Sequence, residues 1–131
     1  AGTLRHNPGH VIDVVPTVLD VAGIAPVTAW NGASVPAPPG QSLVPAFATD
    51  NSVAHAYLWW LHEGNRAVRV GNWKLVADNQ QPEWELYDLD KDRAESVNLA
   101  SEYPDKVQEL QQVWEARWQE VRALATRDLV P

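Results

Sequence analysis

Several groups of residues in this chain have types and spacings that could do chemistry. His62 and Glu63 set an imidazole beside a carboxylate, and Asn65 and Arg66 follow at once. Such a set can move a proton or hold an oxygen-rich ligand. It is not a zinc motif, because no second His follows at the required spacing. The plain alternative is a hydrogen-bonded turn. The segment Asp88-Leu-Asp-Lys-Asp-Arg-Ala-Glu95 alternates acids that could present oxygens to calcium. An EF-hand would need Gly where Arg93 stands and a bidentate Glu where Leu99 stands. Turn acids that accept backbone N–H groups or meet neighbouring Lys and Arg are the simpler reading.

Arg66, Arg69 and Lys74 form the densest basic cluster. Guanidinium groups match the paired oxygens of an anion such as sulfate. Cross-strand pairing with Glu83 and Glu85 explains the same charges more cheaply. Trp59, Trp60, Trp73, Trp84, Trp114 and Trp118 could stack against sugar rings, but Trp at strand and helix spacing is more often core. Trp59 and Trp60 must point oppositely along a strand, so one of them is expected to face outward. His10 and Asp13 could form a dyad at a helix start, where Asp13 is equally explained as a helix cap.

The elements that must position these residues can be read from periodicity and turn signals. Asp13 to about Ala22 reads as a short helix, with Pro16 in its first turn, Gly23 as its stop, and Val14, Val15, Val18, Leu19 and Ala22 on one face. Its many Val residues are weak helix formers, so it needs packing to persist. Residues 24–40 hold Pro26, Pro36, Pro38 and Pro39 and read as an extended linker, with a helical turn expected over Ser42–Ala48. Four short strands follow: Ala56–His62, Arg66–Val70, Trp73–Ala77 and Glu83–Leu89. The turn signals Glu63-Gly64-Asn65 and Gly71-Asn72 and a polar loop over Asp78–Pro82 separate them. Pro104 opens a long helix with Asp105 near its positive end. Val107, Leu110, Trp114, Trp118, Val121 and Ala125 form its apolar stripe. The expected fold class is α+β: a four-stranded antiparallel sheet packed against a long C-terminal helix, preceded by a short N-terminal helix and a Pro-rich linker. The expected division is 1–50 for the N-terminal helix and linker and 51–131 for the sheet and helix.

The chain has 131 residues, enough for one compact domain, and a formal net charge of −7. That charge argues against nucleic-acid binding, which needs clustered Lys and Arg. The absence of Cys excludes disulfides, zinc–thiolate sites and thiol nucleophiles. No apolar run reaches the roughly 20 residues that span a bilayer. Ala1–His10 lacks the basic-then-apolar plan of a signal peptide. With no Met anywhere, the chain reads either as an internal fragment or as a product whose initiator Met was removed.

Three stretches together resemble sulfatases of the arylsulfatase type, within the alkaline-phosphatase-like superfamily. The first is His10-Val-Ile-Asp-Val-Val-Pro-Thr-Val-Leu-Asp-Val-Ala-Gly23, followed by Gly40-Gln-Ser-Leu43. The second is Trp60-Leu-His-Glu-Gly-Asn-Arg-Ala-Val-Arg-Val-Gly-Asn-Trp-Lys-Leu-Val76. The third is Trp84-Glu-Leu-Tyr-Asp-Leu-Asp-Lys-Asp-Arg-Ala-Glu95, then Asn98-Leu-Ala100. Leu61 departs from the pattern, since many relatives carry Glu there.

The resemblance implies the C-terminal region of such an enzyme: the last helix of the large part near Asp13–Ala22, a linker, then the complete small part, with residues 1–50 at the edge of the catalytic part. The family's chemistry uses a Cys or Ser, in a Cys/Ser-x-Pro-x-Arg motif, oxidised to formylglycine, together with a calcium ion held by Asp and Asn residues. Neither that motif nor the Asp-rich metal segments occur in this sequence. The resemblance therefore implies no catalytic or metal-binding residue and no cofactor in this chain, and a non-catalytic role bracing the catalytic domain. His62, Glu63, Asn65 and Arg66 are the candidates for lining a substrate cleft. The alternative is a stand-alone binding or assembly protein from a truncated gene. In that case the apolar face of the first helix, left without a partner, favours a homo-oligomer. A third reading is an unrelated enzyme using His62 and Glu63 as acid and base.

Overall fold

A computed structural model describes residues 2–127. The chain divides into two compact units, Ala1–His55 and Ala56–Pro131.

In the first unit a single 3-10 turn, Val11–Asp13, runs into helix α1, Val14–Val21. Asp13 does not cap α1 in the manner its position suggests. His10 is the residue at the cap, its ring Nδ1 accepting from the Ile12 N–H at 3.4 Å, and the Asp13 carboxylate reaches back to the His10 N–H at 2.8 Å. The extra 3-10 turn moves the true start upstream and converts Asp13 into the return arm of a reciprocal capping pair. Gly23 ends α1 at φ +65°, where the Gly23 N–H bonds Asp20 O and the Ile24 N–H bonds Leu19 O. That double closure satisfies carbonyls that the helix leaves open.

The segment expected to be a plain linker contains a small antiparallel ribbon, β1 (Ala29–Trp30) and β2 (Ala33–Ser34). Asn31 and Gly32 turn it, both at positive φ (49° and 80°), the geometry that suits the right-handed twist of a two-residue hairpin. The Asn31-Gly32 pair sets this turn within a stretch whose prolines otherwise favour extended chain. Helix α2, Val44–Ala48, follows with Pro45 in its first turn. Arg5 closes its far end, donating to the carbonyls of Ala46, Phe47 and Ala48 at 3.1, 3.1 and 3.0 Å.

The second unit is the predicted meander. Strands β3 (Leu58–His62), β4 (Asn65–Val70), β5 (Trp73–Ala77) and β6 (Glu85–Asp88) lie in sequence order, each antiparallel to the next. The registers place Trp59 opposite Val68, Val68 opposite Leu75, and Leu75 opposite Leu86. Alternation therefore puts Trp59, Val68, Leu75 and Leu86 on one face. Helix α3, Pro104–Arg127, covers that face with Leu110 and Trp114 buried and Val107, Val113 and Trp118 half-buried. The stripe is shorter than expected, since Ala125 is exposed. Beyond β6, the Leu99 N–H bonds Leu86 O (2.8 Å), and Asn98 Oδ1 accepts from the Leu86 N–H (3.1 Å). These bonds occupy backbone groups at the sheet edge that would otherwise be open for pairing.

Each unit has its own means of internal cohesion. The second is apolar: Val68, Leu75 and Leu86 have no exposed surface at all. Leu75 lies at the centre of this cluster, so Leu75→Ala is expected to cost about 3 kcal/mol through lost burial and the cavity left behind. Urea unfolding followed by tryptophan fluorescence checks this.

Candidate functional site

Two places in the chain gather the groups that the sequence singles out. The first is a buried carboxylate in the N-terminal unit. Asp13 is fully buried and is met by one local partner and two from distant parts of the chain. Its Oδ1 accepts from the Gln41 N–H at 2.9 Å, and its Oδ2 accepts from the His10 N–H at 2.8 Å and meets His55 Nε2 at 3.0 Å. Gly40 makes this possible, because a Cβ there would fall 2.1 Å from the Ile12 carbonyl oxygen and 2.7 Å from the Asp13 nitrogen. Close backbone approach at that point admits only glycine. Thr17 adds a second link, donating to Asp13 O at 2.6 Å and accepting from the Leu43 N–H at 2.9 Å.

His10 thus meets Asp13 through its backbone N–H, and the imidazole that reaches the carboxylate belongs to His55. Sequence reading missed His55 and Gln41 because they lie 42 and 28 residues from Asp13. The Gly40-Gln41 pair carried the one available hint. Burial works to raise the Asp13 pKa, but the N–H groups of Gln41 and His10, with His55, outweigh it and hold the group below the usual carboxylate value of 3.8. The arrangement suits a structural anchor that stays ionised.

The second place is the tip of the β3–β4 hairpin. Glu63 and Gly64 form the turn, at φ 50° and 86°. His62 and Glu63 lie 3.8 Å apart with side chains 83% and 80% exposed. Asn65 stands directly opposite His62 in the register, whereas Arg66 points to the other face of the sheet. There its guanidinium lies 4.5 Å from the centre of the Trp84 ring, and Nη2 donates to Pro82 O at 2.8 Å. The four candidates therefore share one hairpin but not one surface: His62 and Glu63 are open to solvent, while Asn65 and Arg66 are engaged with the loop at 78–82.

The other basic residues have partners different from those expected. Lys74 pairs with Glu95 at 2.6 Å, and the Arg69 Nε–H bonds Gly71 O at 2.7 Å. Glu85 instead accepts from the Tyr87 hydroxyl at 2.8 Å. Burial and the Glu85 carboxylate push the Tyr87 pKa up to about 12, so this phenol stays a donor. Charge pairing by register alone misplaced these contacts because the loop residue Glu95, at φ 55°, folds back over β5.

In the acidic turn, Asp92 accepts from the Ser96 and Val97 N–H groups at 2.7 and 2.8 Å, and Asp88 pairs with Lys91 at 3.1 Å. Among the described residues, no three of His, Asp, Glu or Cys converge to hold a metal ion. Trp59 faces α3 and donates to Trp114 O at 3.2 Å, which leaves Trp60 on the opposite face of the sheet. No described helix is long and apolar enough to cross a membrane.

The Asp13 anchor yields a pH dependence. A carboxylate with a depressed folded pKa contributes stability above pH 3.8, and loses it as pH falls further through the folded value. Asp13→Asn is expected to destabilise the N-terminal unit by about 2 kcal/mol, since an amide cannot accept from every donor present. It should also abolish this acid-sensitive component. Exchange of the Gln41 amide measured across pH checks both outcomes.

No protein-family model matches the chain. Individual relatives do. An uncharacterized sulfatase of Schizosaccharomyces pombe is 34% identical over 110 residues, covering 79% of this chain and 20% of the relative. Arylsulfatase K of Danio rerio is 30% identical over 112 residues, with the same coverage of both. Among solved structures, a 2-O GAG sulfatase matches with TM-score 0.59 and 27% identity over 91% of this chain and 26% of its own. The structure of BT4656 in complex with its substrate D-glucosamine-2-N,6-O-disulfate matches with TM-score 0.57 and 25% identity over 85% of this chain and 24% of its own. The chain spans about one fifth of the length of the curated relatives it matches. The order of its motifs, the sheet-and-helix unit and these similarities agree: the chain corresponds in sequence and fold to a C-terminal segment of sulfatases.

Proposed function

We propose that this chain serves as the non-catalytic C-terminal piece of an arylsulfatase-like sulfuric ester hydrolase, bracing the catalytic part and lending the β3–β4 tip to the rim of its substrate cleft. One observation carries this reading: the similarity covers about four fifths of the chain but only a fifth of each sulfatase, and the chain contains no Cys/Ser-x-Pro-x-Arg motif. In this reading calcium and the formylglycine nucleophile belong to the catalytic part, and the residues here contribute support and shape. The exposed His62 and Glu63 suit contact with the organic part of a sulfate ester, because loops on rigid scaffolds commonly carry recognition. The exposed apolar face of α1, with Val14, Val15, Val18 and Val21 each more than half exposed, suits docking onto the catalytic part.

The same face favours a second reading, in which the chain stands alone and buries these valines in a homo-oligomer. Two measurements separate the possibilities. The 131-residue chain, supplied with calcium and 4-methylumbelliferyl sulfate, is expected to show no turnover above a heat-treated control. Reproducible hydrolysis sinks the non-catalytic role. Light scattering at high concentration then addresses assembly, where a monodisperse monomer removes the homo-oligomer.

A further inference from the structure

We infer that Asn65 is a positioning residue that clamps the β3–β4 tip to the loop at 78–82, an inference that rests on reading this tip as the rim of a substrate cleft. One side-chain amide bridges three segments. Asn65 Oδ1 accepts from the Asn79 N–H at 3.1 Å, and Asn65 Nδ2 donates to His62 O at 3.0 Å. The end of β3, the start of β4 and the loop after β5 are thereby joined through a single residue.

Three further contacts make the clamp rigid. Gly64, at φ +86°, lets the loop come close: a Cβ there would lie 2.6 Å from Asn79 Oδ1. Arg66 Nη2 holds the far end of the loop through Pro82 O at 2.8 Å, while its guanidinium rests on the Trp84 ring. Asp78 Oδ1 bridges the loop internally, accepting from the Gln80 and Gln81 N–H groups at 2.6 Å each. The loop would otherwise be free to move, since residues 78–83 are all exposed. Both polar ends of the Asn65 amide are in use, so this residue acts on a ligand through His62 and Glu63, whose backbone it fixes. A two-residue turn with Glu63 in the left-handed region has few packed neighbours to hold it, which gives the amide bridge its importance.

The test has a structural arm and a kinetic arm. In the 131-residue chain, Asn65→Leu is expected to speed amide exchange at Asn79 by about tenfold, while Leu99, bonded to Leu86 O, stays unchanged as a check on folding. Asn65→Asp keeps the acceptor and is expected to keep Asn79 protected. Unchanged Asn79 exchange in Asn65→Leu overturns the inference. In a sulfatase carrying this segment, assayed on 4-methylumbelliferyl sulfate, Asn65→Leu is expected to raise KM by about fivefold with kcat nearly constant. Asn65→Asp should recover most of that loss. The double change His62→Ala with Glu63→Ala reports on the cleft itself. If it leaves KM unchanged, the cleft reading fails. If it raises KM while Asn65→Leu does not, the cleft stands and the positioning role fails.

Discussion

The second unit depends on a reciprocal lock between β3 and α3. Trp59 sends its indole N–H to Trp114 O, and Trp114 sends its own to Trp60 O at 3.1 Å, while the two rings stack 5.7 Å apart. Each indole buries a large apolar surface and also needs one acceptor for its N–H. Here the backbone of α3 accepts from the strand's indole and the backbone of β3, at Trp60, accepts from the helix's, so the helix is fixed in both rotation and height against the sheet. Trp84 packs edge-on to Trp114 at 5.9 Å and Trp118 lies 6.2 Å away, extending the aromatic contact along the seam. Trp59 and Trp114, two of the seven Trp in a chain with one Phe, use the indole's polar edge as well as its area.

The first unit relies on the opposite strategy. It has few buried apolar side chains, and its centre is the ionised Asp13. A buried charge is costly unless paired and hydrogen-bonded. Asp13 offsets this by drawing in two backbone N–H groups and the His55 ring, and in doing so it organises loops at residues 10, 41 and 55. A single carboxylate can define a small unit in this way because each donor comes from a different part of the chain. Such anchors confer geometry more than net stability, since desolvation consumes much of the attraction.

In the proposed reading, the β3–β4 tip joins these structural themes to function. Its base is held by the sheet ladder and by the Trp-backed Arg66, and its crown carries two solvent-exposed side chains. A rigid base with a free crown is the arrangement expected where a scaffold contributes to recognition without performing the reaction. The segment's relationship to sulfatases gives that crown a context, and the rest of the chain explains why it is held still.

Much of the fold was legible in the sequence. Alternation in 66–70 and 73–77, the turn signals between the strands, Pro104 at the helix start and the three-and-four spacing through Trp114 each impose a local geometry. Their agreement specified the sheet and the long helix, while three longer stretches of sequence carried the resemblance to sulfatases. Tertiary structure alone decided the polar partners. The sequence offered Asp13 as a cap and Glu83 and Glu85 as neighbours for the basic residues, whereas folding delivered His55, Gln41 and Glu95. It also divided the hairpin candidates, leaving His62 and Glu63 open and spending Asn65 and Arg66 on a loop. The reason is physical: apolar periodicity repeats along the chain and is visible locally. A hydrogen-bond partner is chosen by which distant segment arrives within about 3 Å, and no local pattern encodes that.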